Sequence, residues 1–339
     1  MNRSHAAALC LSLAMLPCAA ANADDGFFRG KQVSMYVGYS AGGGYDAYAR
    51  LLARHFDRHV PGNPTIVVQN MPGGGSLRLA NWLYNVAPRD GTALGAVARG
   101  IAFDTLLGSS GSQFDAQKFN WIGSINNEVS VCVSWKDSTI RTFEDLYSNE
   151  LVVGGTAGGD TEQFPLIMNG VLGSKFRVVT GYRGGNDVNI AMERGEVAGR
   201  CGWSWSSLQS TRAQWLKDGT VNVLVQLSLG KHPDLPDVPL ITDLAKTPEQ
   251  KAIMRLVFAR QVMGRPIVAP PDIPADRVAT LRKAFMETMR DPQFRAEADK
   301  ANLEVEAVDG KAVQDLVDEG YTTDPAVVKK VSGLIQVSK

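Results

Sequence analysis

The run Val33-Ser34-Met35-Tyr36-Val37-Gly38-Tyr39 is rich in β-formers and closes on Ser40-Ala41-Gly42-Gly43-Gly44. Beyond it Tyr48, Leu51, Leu52 and Phe56 recur at helical spacing, with Arg50, Arg54 and Arg58 between them. This is a strand, a glycine turn and a helix. The same grammar continues outward: a strand over 65–69, the turn Pro72-Gly73-Gly74-Gly75, a helix over 77–85, the turn Asp90-Gly91 and a strand over 93–98. Repeated β-α-β units predict an α/β fold with an open parallel sheet and ligand loops at the strand carboxyl ends.

The pattern restarts in the middle of the chain. Residues 129–135 read as a strand, 142–146 as the start of a helix, and 151–154 as a strand that runs into Gly155-Thr156-Ala157-Gly158-Gly159-Asp160. A helix over 161–172, a strand over 176–180, a helix over 186–194 and a strand over 221–227 follow. The tail is helical, with one apolar stripe at Val278, Leu281, Phe285 and Met289 and another at Val328, Val331 and Ile335. We therefore expect one lobe from 28–126 plus 228–339 and a second from 127–227, hinged by two crossover segments, with a ligand between them.

The two glycine turns suggest the chemistry. Each lets the backbone present several N–H groups at a helix N-terminus, where unpaired donors and the helix dipole favour an anion. One turn per lobe predicts two anion sites facing each other. Arg99 and Arg183 end strands on that side, and either suits a carboxylate. Tyr39, Tyr45, Tyr182, Trp203 and Trp205 offer faces on which an aromatic acid would stack, although core packing explains them equally well.

Composition narrows the classes. The 339 residues carry 35 Lys+Arg against 35 Asp+Glu, which gives no basic footprint for nucleic acid. Arg3 and His5 precede an apolar stretch too short to span a bilayer, and Ala21-Asn22-Ala23 supplies a cleavage site. Residues 1–23 are expected to be a signal peptide, which makes the protein an exported one. Cys10 and Cys18 leave with it, so Cys132 and Cys201 are the pair open to disulfide formation, with two buried free thiols as the alternative.

Other chemistries find little support. Neither glycine segment ends in Gly-Lys-Ser/Thr, and the dinucleotide spacing fails at Ala47. No metal site and no cofactor are expected: Cys-x-x-Cys and His-Glu-x-x-His are both absent, and His55 and His59 read as a solvated helix face. The enzymatic alternative is a secreted serine hydrolase using Ser204, because Gly202-Trp203-Ser204-Trp205-Ser206 approaches a nucleophile elbow but lacks its last glycine. No Ser-His-Asp constellation accompanies it.

Taken in order, Tyr39-Ser40-Ala41-Gly42-Gly43-Gly44-Tyr45-Asp46, Asn70-Met71-Pro72-Gly73-Gly74-Gly75-Ser76, Pro88-Arg89-Asp90-Gly91-Thr92, Gly155-Thr156-Ala157-Gly158-Gly159-Asp160, Tyr182-Arg183-Gly184 and Leu235-Pro236-Asp237-Val238-Pro239 resemble the motifs of a known family. It is that of the extracytoplasmic receptors of tripartite tricarboxylate transporters, the Bug or TctC-like proteins. The resemblance implies a two-lobed periplasmic binding protein of type II that is not an enzyme, acts as a monomer, and hands a di- or tricarboxylate to membrane subunits. It carries ligand contact to Tyr39, Ser40, Ala41, Gly42, Gly43 and Gly44 in the first loop. In the second loop it points to Thr156, Ala157, Gly158, Gly159, Asp160 and Thr161. With Arg99, Arg183 and Ser204 these form the expected ligand-contact set. Ala41 stands where the family usually has Pro, and Tyr45 where it has a hydroxyl residue. Asp160 places an anion beside an anion site, and Gly202-Trp203-Ser204 lacks an acidic residue that would receive an ammonium group.

Overall fold

The structure is a computed structural model and describes residues 26–336; the signal peptide expected over 1–23 lies outside the described residues. The first half of the chain runs β1 (Gln32–Val37), α1 (Gly44–Phe56), β2 (Thr65–Asn70), α2 (Leu77–Asn85), β3 (Ala93–Ala96), α3 (Ile101–Asp104) and β4 (Asn120–Ser124). It then crosses to β5 (Ser130–Trp135), β6 (Leu151–Gly154), α4 (Asp160–Leu172), β7 (Phe176–Val179), α5 (Gly185–Glu193), β8 (Gly199–Ser204), α6 (Trp205–Lys217) and β9 (Val221–Leu227). It returns through α7 (Pro248–Ala259) to β10 (Pro266–Ala269), α8 (Ala275–Arg290), α9 (Pro292–Lys300), β11 (Val308–Asp309), α10 (Gly310–Gly320) and α11 (Pro325–Gln336).

Two sheets result, ordered β11-β4-β10-β3-β1-β2 and β7-β6-β8-β5-β9. Local pattern explains the elements. In β1 every second residue, Val33, Met35 and Val37, is buried, while α1 buries Tyr48, Leu51, Leu52 and Phe56 on one stripe. Each such side chain contributes about 1.5–3 kcal/mol on burial. The turn expected to open a helix at 142–146 is a single 3-10 turn, Glu144–Tyr147.

The sheets are mixed rather than parallel, which corrects the sequence expectation. β10 runs antiparallel to β3 and β4, β11 antiparallel to β4, and β5 antiparallel to β8 and β9. β5 enters its sheet straight from β4 across the hinge, without a crossover helix of its own, so nothing forces it parallel. Cys132 on β5 and Cys201 on β8 are joined as a disulfide, at a register shift between Val131 and Val133.

His55 and His59 do not form a solvated face. α1 and the 3-10 turn Asp57–His59 that follows it pack against α8 and α9, which brings His55 Nε2 to 2.6 Å from Glu297 and His59 Nε2 to 2.8 Å from Asp291. The apolar stripe of α1 decided its buried face, but the return of α9 could not be read locally.

Candidate functional site

Between the sheets lies a cavity of about 50 Å³. The N-terminal ends of four helices line it: Gly44 and Tyr45 from α1, Asp160 and Thr161 from α4, Gly185 and Asn186 from α5, and Ser204 and Ser207 at the start of α6. Each contributes a partial positive charge, so the centre favours an anion before any side chain is counted.

Two arginines add full charges. Arg99 follows β3, is 2% exposed and crosses to the other lobe. Its Nε donates to Asp160 Oδ2 at 2.6 Å, and its Nη2 donates to Ser130 Oγ at 2.8 Å and Ser204 Oγ at 3.4 Å. Nη1 is buried and, among the described residues, has no hydrogen-bond partner. Burial works most strongly against the charge of Arg99, but Asp160, joined by Tyr45 and Glu128, together outweigh it and raise its pKa above the ordinary value. The second arginine is Arg200 on β8, also on the cavity wall.

Asp160 does not repel an anion here. Arg99 holds one oxygen and Arg260 Nη1 holds the other at 3.2 Å, so its charge is answered twice. A buried carboxylate shared by two guanidiniums leaves the neighbourhood net positive.

Of the expected contact residues, Tyr39, Gly43, Gly44, Arg99, Thr156, Asp160, Thr161 and Ser204 line the cavity. Ser40, Ala41, Gly42, Ala157, Gly158, Gly159 and Arg183 are not among the lining residues. Arg183 is exposed, and its carbonyl accepts from Ser40 N at 3.4 Å. The amide nests expected at the glycine turns are corrected in part. Gly42 N donates to Asp46 Oδ2 at 3.0 Å, Gly158 N to Glu162 Oε2 at 2.6 Å, and Thr156 N to Thr161 Oγ1 at 2.9 Å. Helix-start side chains cap these donors, as acidic and hydroxyl residues in a first turn commonly do. What remains toward the cavity is the helix ends and the arginines.

The glycines act at the seam instead. A Cβ on Gly75 would stand 2.6 Å from Gly159 N, and one on Gly184 would stand 2.3 Å from Ser40 Oγ. Both contacts join the two lobes, so only residues without a side chain permit this closure.

A second buried node ties the lobes behind the cavity. Arg265 Nη2 lies 3.1 Å from Glu128 Oε2 and donates to Ser207 Oγ at 2.7 Å, and Glu128 also accepts from Ser206 Oγ. Aromatic faces are already engaged: Tyr39 and Tyr45 pack at 4.9 Å between centroids, and Arg200 lies over Trp203 at 4.4 Å. Ser204 lacks the surroundings of a nucleophile. Its Oγ meets Arg99, which cannot accept a proton, while His55, His59 and His232 pair with Glu297, Asp291 and Glu304.

Two α/β lobes closing on a central cavity define the type II periplasmic-binding-protein fold. Solved structures agree: the periplasmic binding protein BugD superposes with a TM-score of 0.72 at 19% identity, covering 90% of this chain and 98% of that one. An R. palustris protein solved with adipate gives 0.70 at 18%, covering 89% and 97%. MatC from Rhodopseudomonas palustris with bound malate gives 0.69 at 18%, covering 88% and 99%. In sequence, the chain is 24% identical over 338 residues to the UPF0065 protein in the gbd 5′ region of Cupriavidus necator, covering 96% of this chain and 94% of that protein. No family model matches. The resemblance to the Bug and TctC-like receptors first carried by the glycine motifs therefore extends to the fold and to nearly the full length of the chain. Among the described residues, no helix is long and apolar enough to cross a membrane.

Proposed function

We propose that the protein is a periplasmic receptor that captures a small aliphatic carboxylate between its lobes and delivers it to the membrane subunits of a tripartite tricarboxylate-type transporter. The lobes would comprise 28–126 plus 228–339 and 127–227, working as a monomer without catalysis. One observation carries the reading: Arg99 Nη1, buried and unpartnered, on the wall of a cavity ringed by helix N-termini. A buried guanidinium N–H without an acceptor is costly, and a ligand carboxylate would satisfy it with a charge-assisted hydrogen bond. The adipate and malate bound by two proteins of the same fold suit that chemistry. The engaged aromatic rings favour an aliphatic over an aromatic acid.

Thermal denaturation of the mature protein, freed of co-purified ligand, against di- and tricarboxylates tests this. A binding acid at a hundredfold excess over Kd adds about 2.7 kcal/mol, or a rise in Tm of about 5 °C. No shift with any carboxylate contradicts the proposal.

A further inference from the structure

A second cavity, of about 570 Å³, opens where the chain passes between the two sheets. Residues 127–129, on the way from β4 to β5, form one side of it, and residues 228–234, on the way back from β9, form another. The end of α7 with the turn after it, and the stretch 304–306 beyond α9, complete the walls. No residue lines both this cavity and the one between the lobes. A space of this size suits a small organic molecule.

Gln261 ties the two passages together. Its carbonyl accepts from Glu128 N at 2.9 Å, and its Nε2 donates to the Leu227 carbonyl. With Nε2 so anchored, Oε1 is left buried in a residue only 1% exposed, and it has no hydrogen-bond partner among the described residues. A buried acceptor without a donor is costly, and such atoms are rare in folded proteins.

The charges around it have the sign that a donor requires. Glu304 meets His232 at 3.0 Å, and Glu306 forms no ion pair among the described residues. Lys231 is engaged by the Pro236 carbonyl at 3.1 Å, and Glu128 is answered by Arg265. His232, Asp234 and Glu304 bring their donor atoms within 4.8 Å, close enough for a metal ion. Asp234 N, however, donates to His232 Nδ1 at 3.1 Å, which puts the imidazole proton on Nε2, facing Glu304. Neither ring nitrogen is then free to ligate. An occupant that offers only donors fits better, because it serves Gln261 and the carboxylates without disturbing the ring. Val129, Leu229 and Val305 add apolar wall for a hydrocarbon chain.

We infer that this cavity is a second binding site of the protein, for a small organic amine whose ammonium group is held by Gln261 Oε1 and whose charge is balanced by Glu304 and Glu306. It lies on the two segments that connect the sheets, apart from the arginines and helix ends of the interlobe cavity.

The test uses pentylamine and cadaverine against pentanol and pentanediol, which match them in size but carry no charge. Titration calorimetry of the wild type is expected to show about 10- to 150-fold tighter binding of at least one amine than of its alcohol, the range of hydrogen bonds to charged groups. Glu304→Gln and Glu306→Gln should each reduce that preference at least about threefold, and together abolish it. Glu306 is exposed, so Glu306→Gln should melt as the wild type does and decides the matter even if Glu304→Gln folds poorly. Equal binding of amine and alcohol, no binding of either amine, or a preference that survives in Glu306→Gln overturns the inference. Binding of zinc or manganese ions where the amines fail also overturns it and makes the cluster at His232 a metal site. None of these titrations contains a carboxylate, so the receptor reading is tested separately.

Discussion

Arg99 and Asp160 join the two lobes through a single short ion pair, Nε to Oδ2 at 2.6 Å, with the arginine 2% exposed and the aspartate side chain 11% exposed. Arg260 holds the other oxygen of the same carboxylate. One acidic side chain in a glycine turn thereby fastens two basic groups of the opposite face, and a site that looked hostile to an anion becomes receptive to one.

Asp160→Asn should expose that arrangement. It leaves Arg99 and Arg260 buried without their acid, at a cost of about 3–5 kcal/mol. A bound carboxylate would restore part of the balance, so the gap in Tm between wild type and variant should narrow with ligand present. Thermal melts with and without a binding acid check this, and an unchanged gap speaks against the assignment.

Arg99→Gln tests the other partner. Asp160 retains Arg260, so the fold should hold while the ligand loses a charge-assisted hydrogen bond. A loss of about 10- to 150-fold in affinity is expected by calorimetry. Affinity within a factor of about two of the wild type would mean that the carboxylate binds elsewhere.

Gly184→Ala separates closure from folding. The backbone there is extended, with φ of −178°, which alanine accepts without strain. The added methyl meets Ser40 across the seam, so only the closed arrangement is penalised. We expect a nearly unchanged Tm without ligand, weaker ligand binding and a larger radius of gyration by small-angle X-ray scattering. A variant that stays as compact as the wild type and binds as well would show that the seam does not control closure.

How much of this was legible in the sequence depends on how local each signal was. The strand, turn and helix around Tyr39–Gly44 could be read because alternation and helical spacing are properties of neighbouring residues. The caps Asp46 and Glu162 leave a local signal too, each standing four residues beyond the glycine amide it accepts from. Arg200 was missed. Its signal is a charged residue inside Ala198-Gly199-Arg200-Cys201-Gly202-Trp203, otherwise a run suited to a buried strand. Arg183 follows a strand in sequence, yet its loop leaves the residue exposed to solvent, a matter of tertiary path that spacing cannot reveal.

Asp104 yields a pH dependence. Burial pushes its carboxyl up to about 7, with Arg260 opposing and Asp160 adding to the rise. Between the ordinary value of 3.8 and about 7 the folded protein keeps a proton that the unfolded chain has lost. Stability from this group is therefore full below that ordinary value and is lost as pH rises through about 7. Asp104→Asn cannot titrate, so its advantage in Tm over the wild type should grow from pH 5 to pH 8. The same difference at both pH values would contradict the shift.

A crystal structure with the carboxylate that raises Tm most is the most direct measurement. We expect a carboxylate oxygen about 3 Å from Arg99 Nη1, between closed lobes and facing the starts of α1, α4, α5 and α6. An acid bound outside that cavity, with Arg99 Nη1 still unpartnered, would contradict the account.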